Sequence, residues 1–241
     1  MFLSPSQLLA FDEQVRLFTL SEYDISHSLR EPVFYDVVTL ATSVFRTPIS
    51  LIGLVEAEQV NYKAARGLGG VRTQPRQEAL CALVVQRNKA VVFTDLTQPH
   101  QYQQLTPVAL RNVERKHYRF YAGIPLRMPN QHVIGTLCIL DRQPRYLNSA
   151  ERRVLEIMAS LVERIVVVRH VCLSSAWLGK DSWRAVYQYV STELRDIITV
   201  IRKLQSEQPA DSSGESLVLH TVIHHLNVLG TVLAEPLPGL A

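Results

Sequence analysis

Apolar residues recur at helical spacing in five separate segments of the chain. The first two segments each carry a proline in their opening turn, which is a helix-start signal. In the last three segments the apolar residues step alternately by three and four positions, as in a coiled-coil seam. The pattern predicts helices at residues 4–20, 31–46, 148–178, 183–204 and 219–233.

Between the second and third of these helices the pattern changes to short runs that are rich in β-branched residues or alternate in polarity. A short helix at residues 77–86 interrupts them, and Gly67–Gly70 predicts a flexible connection. Residues 96–117 are polar and predict a loop with one helical turn. The predicted strands are residues 49–55, 60–64, 90–93, 120–126 and 133–140.

This order of elements favours an α+β fold in three parts. Residues 1–21 predict an N-terminal helix, and residues 22–170 suit an antiparallel sheet with helices packed on it. Residues 171–241 suit a helical hairpin with two apolar stripes, which cannot bury both faces alone. Such pairs complete their core as four-helix bundles, so we expect a homodimer through residues 150–235.

Composition narrows the class of protein. Apolar residues make up 47% of the 241 positions and charged residues 20%, which excludes a disordered chain. The net charge of +3 comes without a dense basic stripe, so we expect no nucleic-acid binding. The longest apolar runs fall well short of the roughly 20 residues that a bilayer span needs, and the N-terminus lacks a basic signal region. We therefore expect a cytoplasmic protein without a membrane segment.

The spacing of the cysteines and histidines gives little indication of a metal site. The three cysteines are scattered without a Cys-x-x-Cys pair, which predicts neither a disulfide framework nor a zinc knuckle. His220 and His224 share one helix face with the spacing of a zinc or haem site, and His225 adjoins them. No third ligand is evident, so we interpret this cluster as a solvated or interface face and predict no metal. The sequence identifies no cofactor.

Two runs in the middle of the chain are distinctive: RFYAGIPL at residues 119–126 and GTLCILD at residues 135–141. They occur in the order and at the spacing of bacterial GAF domains fused to histidine kinases and diguanylate cyclases, and residues 22–170 resemble that family. Shorter matches are Tyr23-Asp24-Ile25, Pro48–Ile52, Tyr62–Ala64, Gly67-Leu68, Cys81-Ala82 and Asp95. The resemblance implies a GAF fold, a six-stranded antiparallel sheet with helices on both faces.

The resemblance also implies a pocket on one face of the sheet, which holds a small molecule or nothing. The positions where GAF pockets collect polar groups are Tyr62, Lys63, Cys81, Asp95, Arg119, Tyr121 and Cys138. Arg119 and Lys63 would pair with an anionic ligand; alternatively, Arg119 pairs with Asp95 or Asp141 at the sheet edge. The two cysteines are a candidate redox or metal pair, or else simple buried packing. The motifs of cyclic-nucleotide and bilin-binding relatives are absent.

Residues 190–201, VSTELRDIITVI, resemble the phosphoacceptor box of a histidine-kinase dimerisation helix. Thr192 stands at the position of the acceptor histidine, while Glu193 and Arg195 match the pattern. A threonine hydroxyl has a far higher pKa than an imidazole, so we expect no autophosphorylation. We also expect no ATP-binding domain, because the glycine-rich nucleotide boxes that such a domain needs are not found in the sequence up to Ala241. The resemblance implies a degenerate dimerisation hairpin.

The leading hypothesis is a non-catalytic signal-transduction protein. A GAF sensory module would dimerise and dock a response regulator or a sensor kinase through its hairpin. The alternatives are enzymes, either a phosphotransfer protein related to histidine kinases or a small-molecule redox enzyme using the pocket cysteines. Thr192 argues against the first alternative, and a mass shift on Cys81 or Cys138 after mild peroxide would favour the second.

Overall fold

A computed structural model of the chain describes residues 5–23, 31–207 and 212–234. In these residues, six antiparallel strands form a sheet of order β3-β2-β1-β6-β5-β4. The strands are β1 Ile49–Val55, β2 Gln59–Arg66, β3 Thr73–Pro75, β4 Val91–Phe93, β5 Phe120–Arg127 and β6 Val133–Asp141. The helices are α1 Pro5–Glu22, α2 Pro32–Phe45, α3 Leu80–Arg87, α4 Pro99–Tyr102, α5 Pro107–Lys116, α6 Ser149–Ser174, α7 Gly179–Glu207 and α8 Ser212–Val232. The predicted GAF fold is confirmed.

Alternation along the strands divides the interior into two cores. In β5, Phe120 and Ala122 face one core and Tyr121 faces the other; in β6, Ile139 and Cys138 divide in the same way. Both strands are buried on both sides, which is why their sequences are almost continuously apolar.

On the first face, α2 and α6 pack on the sheet, and α7 and α8 pack on α2 and α6 as an outer layer. One hydrophobic core, the first core, runs through all of these helices. The apolar stripe of α7 is buried in it, including Val190, Leu194, Ile197 and Ile201. The four helices that we expected from two chains are thus assembled within one chain. A homodimer stays a prediction. The apolar stripes of the hairpin no longer argue for it, because helices of the same chain bury them.

Polar contacts also attach α7 to the GAF domain. The Glu31 carboxylate accepts hydrogen bonds from Trp183 Nε1 of α7 and from Arg169 Nε of α6, both at 2.7 Å. Farther along, Arg195 donates to both carboxylate oxygens of Asp36 at 3.2 Å. Three helices therefore meet at Glu31.

On the second face, α3 and α5 cover the sheet around a smaller hydrophobic core, the second core. The prediction of a loop with one helical turn at residues 96–117 is wrong in its second half, which α5 occupies, whereas α4 is the predicted turn. Thr106 caps this helix by accepting from Ala109 N at 3.1 Å, and Pro107 occupies its first turn. The prediction also missed β3, whose three residues are too few to show alternation.

Helix boundaries mostly follow their sequence signals. Asn148 and Glu151 form a reciprocal capping box at the start of α6. The helix predicted at residues 148–178 ends at Ser174, and α7 begins at Gly179, which has a left-handed φ of 69°. The predictions for Ser4, for Asp24-Ile25 and for residues 235–241 lie outside the described residues. Within the described ranges, no helix is both long enough and apolar enough to cross a membrane.

Candidate functional site

A small cavity lies between the second face of the sheet and helices α3 and α5. Its volume of about 20 Å³ has room for one water-sized molecule. We call it the thiol cavity. The side chains with polar atoms on its wall are Tyr62, Gln74, Cys81, Asn112, Lys116, Tyr118, Tyr121 and Cys138. Four of the seven predicted pocket residues are thus brought together here.

Two free thiols form the floor of the thiol cavity. Cys81, on α3, and Cys138, on β6, are buried with their sulfurs 3.9 Å apart. A Cβ added at Gly53 would lie 3.3 Å from Cys81 Sγ, so the glycine leaves space for the sulfur. The hydrogen bond from Cys138 lowers the pKa of Cys81, whereas burial raises the pKa of Cys138 well above its usual value. The pair therefore gives up one proton more readily than a second.

The Tyr121 side chain lies over Gly123, the residue paired with Cys138 across β5 and β6. A Cβ at Gly123 would collide with Tyr121 Oη, so this placement requires the glycine. The hydroxyl is buried and has no hydrogen-bond partner among the described residues. Burial, followed by repulsion from the ionised forms of Cys81 and Cys138, raises the pKa of Tyr121 well above its ordinary value. The phenol is therefore a neutral donor, and the sulfurs of Cys81 and Cys138 near it are only weak acceptors.

A second unpartnered donor lines the same cavity. Gln74 Oε1 accepts from Tyr62 Oη at 2.7 Å and from Lys116 Nζ at 3.3 Å, while Gln74 Nε2 is buried without a partner in the described structure. Burial lowers the pKa of Lys116 and raises the pKa of Tyr62. Each buried polar group left unpaired costs about 1–3 kcal/mol. A small polar molecule that accepted hydrogen bonds from Gln74 and Tyr121 would remove both penalties.

Arg119 and Asp95 are predicted pocket residues that lie elsewhere. They pair with each other, with Arg119 Nη2 2.6 Å from Asp95 Oδ2 and Arg119 Nε 3.1 Å from Asp95 Oδ1. The Arg119 guanidinium, with help from Thr97, holds the pKa of Asp95 well below its usual range. The structure thus contains the Arg119–Asp95 pair of the alternative interpretation, and neither side chain lines the thiol cavity.

Lys63 is also absent from the cavity wall. It lies at a β-bulge in β2, where the pairing with β1 shifts from Ala64–Ile52 to Tyr62–Gly53. Strand alternation alone cannot foresee such an insertion, because a bulge changes which face the following residues take.

Four side chains on the cavity wall were not predicted as site residues: Gln74, Asn112, Lys116 and Tyr118. Gln74 lies on the missed strand β3, Asn112 and Lys116 lie on the missed helix α5, and Tyr118 follows α5. A usable signal was present, since Thr106-Pro107 is a helix start followed by buried residues four apart at Ala109 and Val113.

The region that resembles a phosphoacceptor box lies on α7. Thr192 is exposed, and its hydroxyl donates to the Gln188 carbonyl at 3.0 Å. Glu193 is half-buried. Arg195 is exposed, and its guanidinium pairs with Asp36 of α2.

Larger cavities are open grooves on the first face. One of about 580 Å³ runs between α6 and α8, where Arg164 Nη1 donates to the Gly230 carbonyl at 2.6 Å. Another, of about 530 Å³, includes His220. Among the described residues, no group of three or more His, Cys, Asp or Glu side chains is arranged to hold a metal ion.

Comparison with known proteins identifies the family. Residues 30–166 match the model of the GAF domain, which is more than half of the chain, and the chain belongs to this family. It is a GAF sensory module by family and fold.

Individual relatives show how this module is used elsewhere. Over 134 residues the chain is 30% identical to a cyclic di-GMP phosphodiesterase of Pseudomonas aeruginosa, covering 56% of this chain and 22% of that protein. The chain thus spans about a fifth of this relative.

Solved structures with a similar fold include the GAF domain of an Acinetobacter phosphoenolpyruvate-protein phosphotransferase. It is 20% identical, with a TM-score of 0.46, and the match covers 70% of this chain and 98% of that one. Another is a type II free methionine-R-sulfoxide reductase from Thermoplasma acidophilum, 16% identical with a TM-score of 0.45, covering 57% of this chain and 94% of that one.

Proposed function

We propose that the thiol cavity is the sensory site and that its occupant controls how the chain regulates a signalling partner. One observation carries this proposal: Gln74 Nε2 and Tyr121 Oη are both buried beside one small cavity, and neither has a hydrogen-bond partner in the part of the chain that the structure describes. Native proteins pair nearly all buried polar atoms, so two orphans at one place call for a functional reason. A bound small molecule supplies that reason.

The sheet connects this cavity to the outer helices. Strand β6 contributes Cys138 to the cavity on one face, and Leu137 and Ile139 to the first core on the other. Helix α6 packs on β5 and β6 and also contacts α7 and α8. A close-packed core transmits small displacements, so a shift of β6 would be felt in the outer layer.

The output would be a homodimer that docks a two-component partner, either a response regulator or a sensor kinase, through α7. The resemblance of residues 190–201 to a dimerisation helix supports this docking role. A domain similar to this one also forms part of an enzyme that acts on cyclic di-GMP, which supports a regulatory role in signalling. With Thr192 at the acceptor position, the chain itself would be non-catalytic. We propose that it acts in the cytoplasm.

Native mass spectrometry of the full chain purified from its own host tests the sensory site. We expect a dimer that retains a small-molecule adduct. Tyr121→Phe should reduce the adduct because it removes one of the two free donors. Arg119→Lys is the matched control and should retain it, because Arg119 lies off the cavity. A monomer without an adduct, or equal loss in both variants, would count against the proposal.

Phosphotransfer assays test the docking role. The wild-type chain incubated with labelled ATP should stay unlabelled. Thr192→His should accept phosphate from a phosphorylated cognate response regulator if α7 retains a docking surface. Asp36→Asn, which releases Arg195, should increase that transfer. Stable label on the wild type would refute the non-catalytic role. If no phosphate is transferred to the histidine variant, the role of α7 is structural only.

A further inference from the structure

We propose that Cys81 and Cys138 are a reversible redox switch, oxidised to an intramolecular disulfide by hydrogen peroxide that enters the thiol cavity. The inference rests on the proposed sensory function and names its input. It assigns the cavity a reactive ligand, a small neutral peroxide.

Geometry sets this pair apart from the third cysteine. The two sulfurs lie 3.9 Å apart, and rotation of the side chains with a small movement of α3 would bring them to the ~2.05 Å of a disulfide. Gly53 leaves the Cys81 sulfur space beside the sheet. Cys172 is buried on the opposite face, in α6, and belongs to the first core. It therefore serves as an internal control.

The size and polarity of the cavity select the oxidant. A volume of about 20 Å³ admits a molecule near the size of water and excludes bulky disulfides. Among the described residues Tyr121 Oη and Gln74 Nε2 have no hydrogen-bond partner, and peroxide oxygens accept hydrogen bonds. Hydrogen peroxide meets both conditions, because it is small and accepts hydrogen bonds.

The chemistry balances with peroxide as the sole co-reactant. The Cys81 sulfur attacks one peroxide oxygen, the O–O bond breaks, and the departing hydroxide takes the proton of Cys81 as water. The product is a sulfenic acid. The Cys138 sulfur then attacks the Cys81 sulfur, the S–O bond breaks, and the hydroxide leaves as a second water with the proton of Cys138. Two thiols and one peroxide give one disulfide and two waters.

Cys81 suits the attacking role because its sulfur lies within hydrogen-bond distance of Cys138, and this contact lowers the pKa of Cys81. A lowered pKa favours the thiolate, which is the nucleophilic form. Closing the S–S bond would draw α3 towards β6, and β6 also supports the first core. Oxidation would therefore displace the same strand through which we propose the signal passes.

The experiment treats the full-length chain with increasing hydrogen peroxide, blocks remaining thiols with an alkylating reagent after unfolding, and maps them by mass spectrometry. We expect a peptide cross-link between Cys81 and Cys138, loss of two alkylated sites, and recovery of both with dithiothreitol. Cys172→Ser should cross-link as the wild type does. Cys81→Ser and Cys138→Ser should lose the cross-link entirely. Circular dichroism of each variant verifies its fold.

Tyr121→Phe tests the role of the free hydroxyl. It should slow cross-linking without lowering stability, since the hydroxyl has no partner to lose. Full alkylation of both cysteines in peroxide-treated wild type, or a cross-link to Cys172, would overturn the inference.

Hydrogen exchange in α7 and α8 separates this inference from the proposed function. A cross-link that leaves their exchange unchanged would keep the redox pair and count against its coupling to the outer helices. Absence of the cross-link alongside a retained native ligand would keep the sensory site and refute the redox input.

Discussion

The two faces of the sheet are built from alternate residues of the same strands, yet they differ in what they bury. The first face carries two layers of helices over one continuous apolar core that includes Phe34, Leu137 and Leu194. The second face carries a thinner cover, two thiols and a cavity with two unpartnered donors. The core that stabilises the fold and the groups that are able to react thus lie on opposite faces of one sheet.

This separation explains how one small domain tolerates unpaired polar atoms. Each such atom costs about 1–3 kcal/mol, which is a large share of the stability of a typical domain. The extended first core supplies the compensating burial. We therefore expect substitutions on the first face to lower the free energy of unfolding strongly, and substitutions at the thiol cavity to change it little.

The largest effect should come from Leu194→Ala in α7. Leu194 is fully buried in the first core, so the cavity left by the substitution should cost about 2–5 kcal/mol. Val200→Ala, on the same helix and 39% exposed, should change stability by less than about 0.5 kcal/mol. Urea unfolding followed by circular dichroism and by tryptophan fluorescence measures both. Two separate transitions would show that α7 is not part of the common core.

Glu31→Ala should have the next largest effect. It removes an acceptor shared by Arg169 and Trp183, and hydrogen bonds to charged groups contribute about 1.5–3 kcal/mol. Asp181→Ala breaks a pair with Arg184 in which the carboxylate is 94% exposed, and should cost no more than about 1 kcal/mol. Equal effects in the same urea assay would mean that Glu31 does not join the layers.

Glu163 should make the first face sensitive to pH. Burial raises the pKa of this α6 carboxyl to about 7, although Arg127 N donates to it at 2.6 Å. A raised pKa means that the folded chain binds the proton more tightly than the unfolded chain. This contribution is full below about pH 4.5 and is lost as the pH rises through 7.

The free energy of unfolding of Glu163→Gln, relative to that of the wild type, should therefore rise by roughly 1–2 kcal/mol from pH 5 to pH 8. Urea unfolding at both pH values measures this difference. Glu156→Gln on the exposed side of the same helix is the control, and its pH profile should parallel that of the wild type. A parallel profile for Glu163→Gln as well would contradict the assignment.

The smallest effects should distinguish two phenols at the thiol cavity. Tyr62→Phe removes a hydroxyl that donates to Gln74 at 2.7 Å, and should cost about 0.5–1.5 kcal/mol. Tyr121→Phe removes a hydroxyl without a partner, and should leave the free energy of unfolding unchanged or raise it. Thermal unfolding of the two variants gives the comparison directly. A larger loss in Tyr121→Phe would mean that its hydroxyl is bonded in solution.

Most of the fold could be read from local patterns. Short apolar runs predicted β5 and β6, and apolar residues at helical spacing predicted α2 and α6. The elements missed were β3 and α5, which are short or mostly polar and therefore carry weak periodicity. Because β3 and α5 were not predicted, the cavity residues that they contribute, Gln74 and Lys116, were not predicted either.

By itself the sequence determined the fold family, most of the helices and strands, and four of the cavity residues, including both thiols. These depend on side-chain periodicity and on motifs, which are local properties. Tertiary structure decided which polar groups meet. It placed Arg119 on Asp95 and Cys81 beside Cys138, left Tyr121 without a partner, and covered the stripe of α7 with helices of its own chain. Partners distant in sequence are chosen by packing and strand register, and a pattern read along one segment carries no information about what will be packed against it.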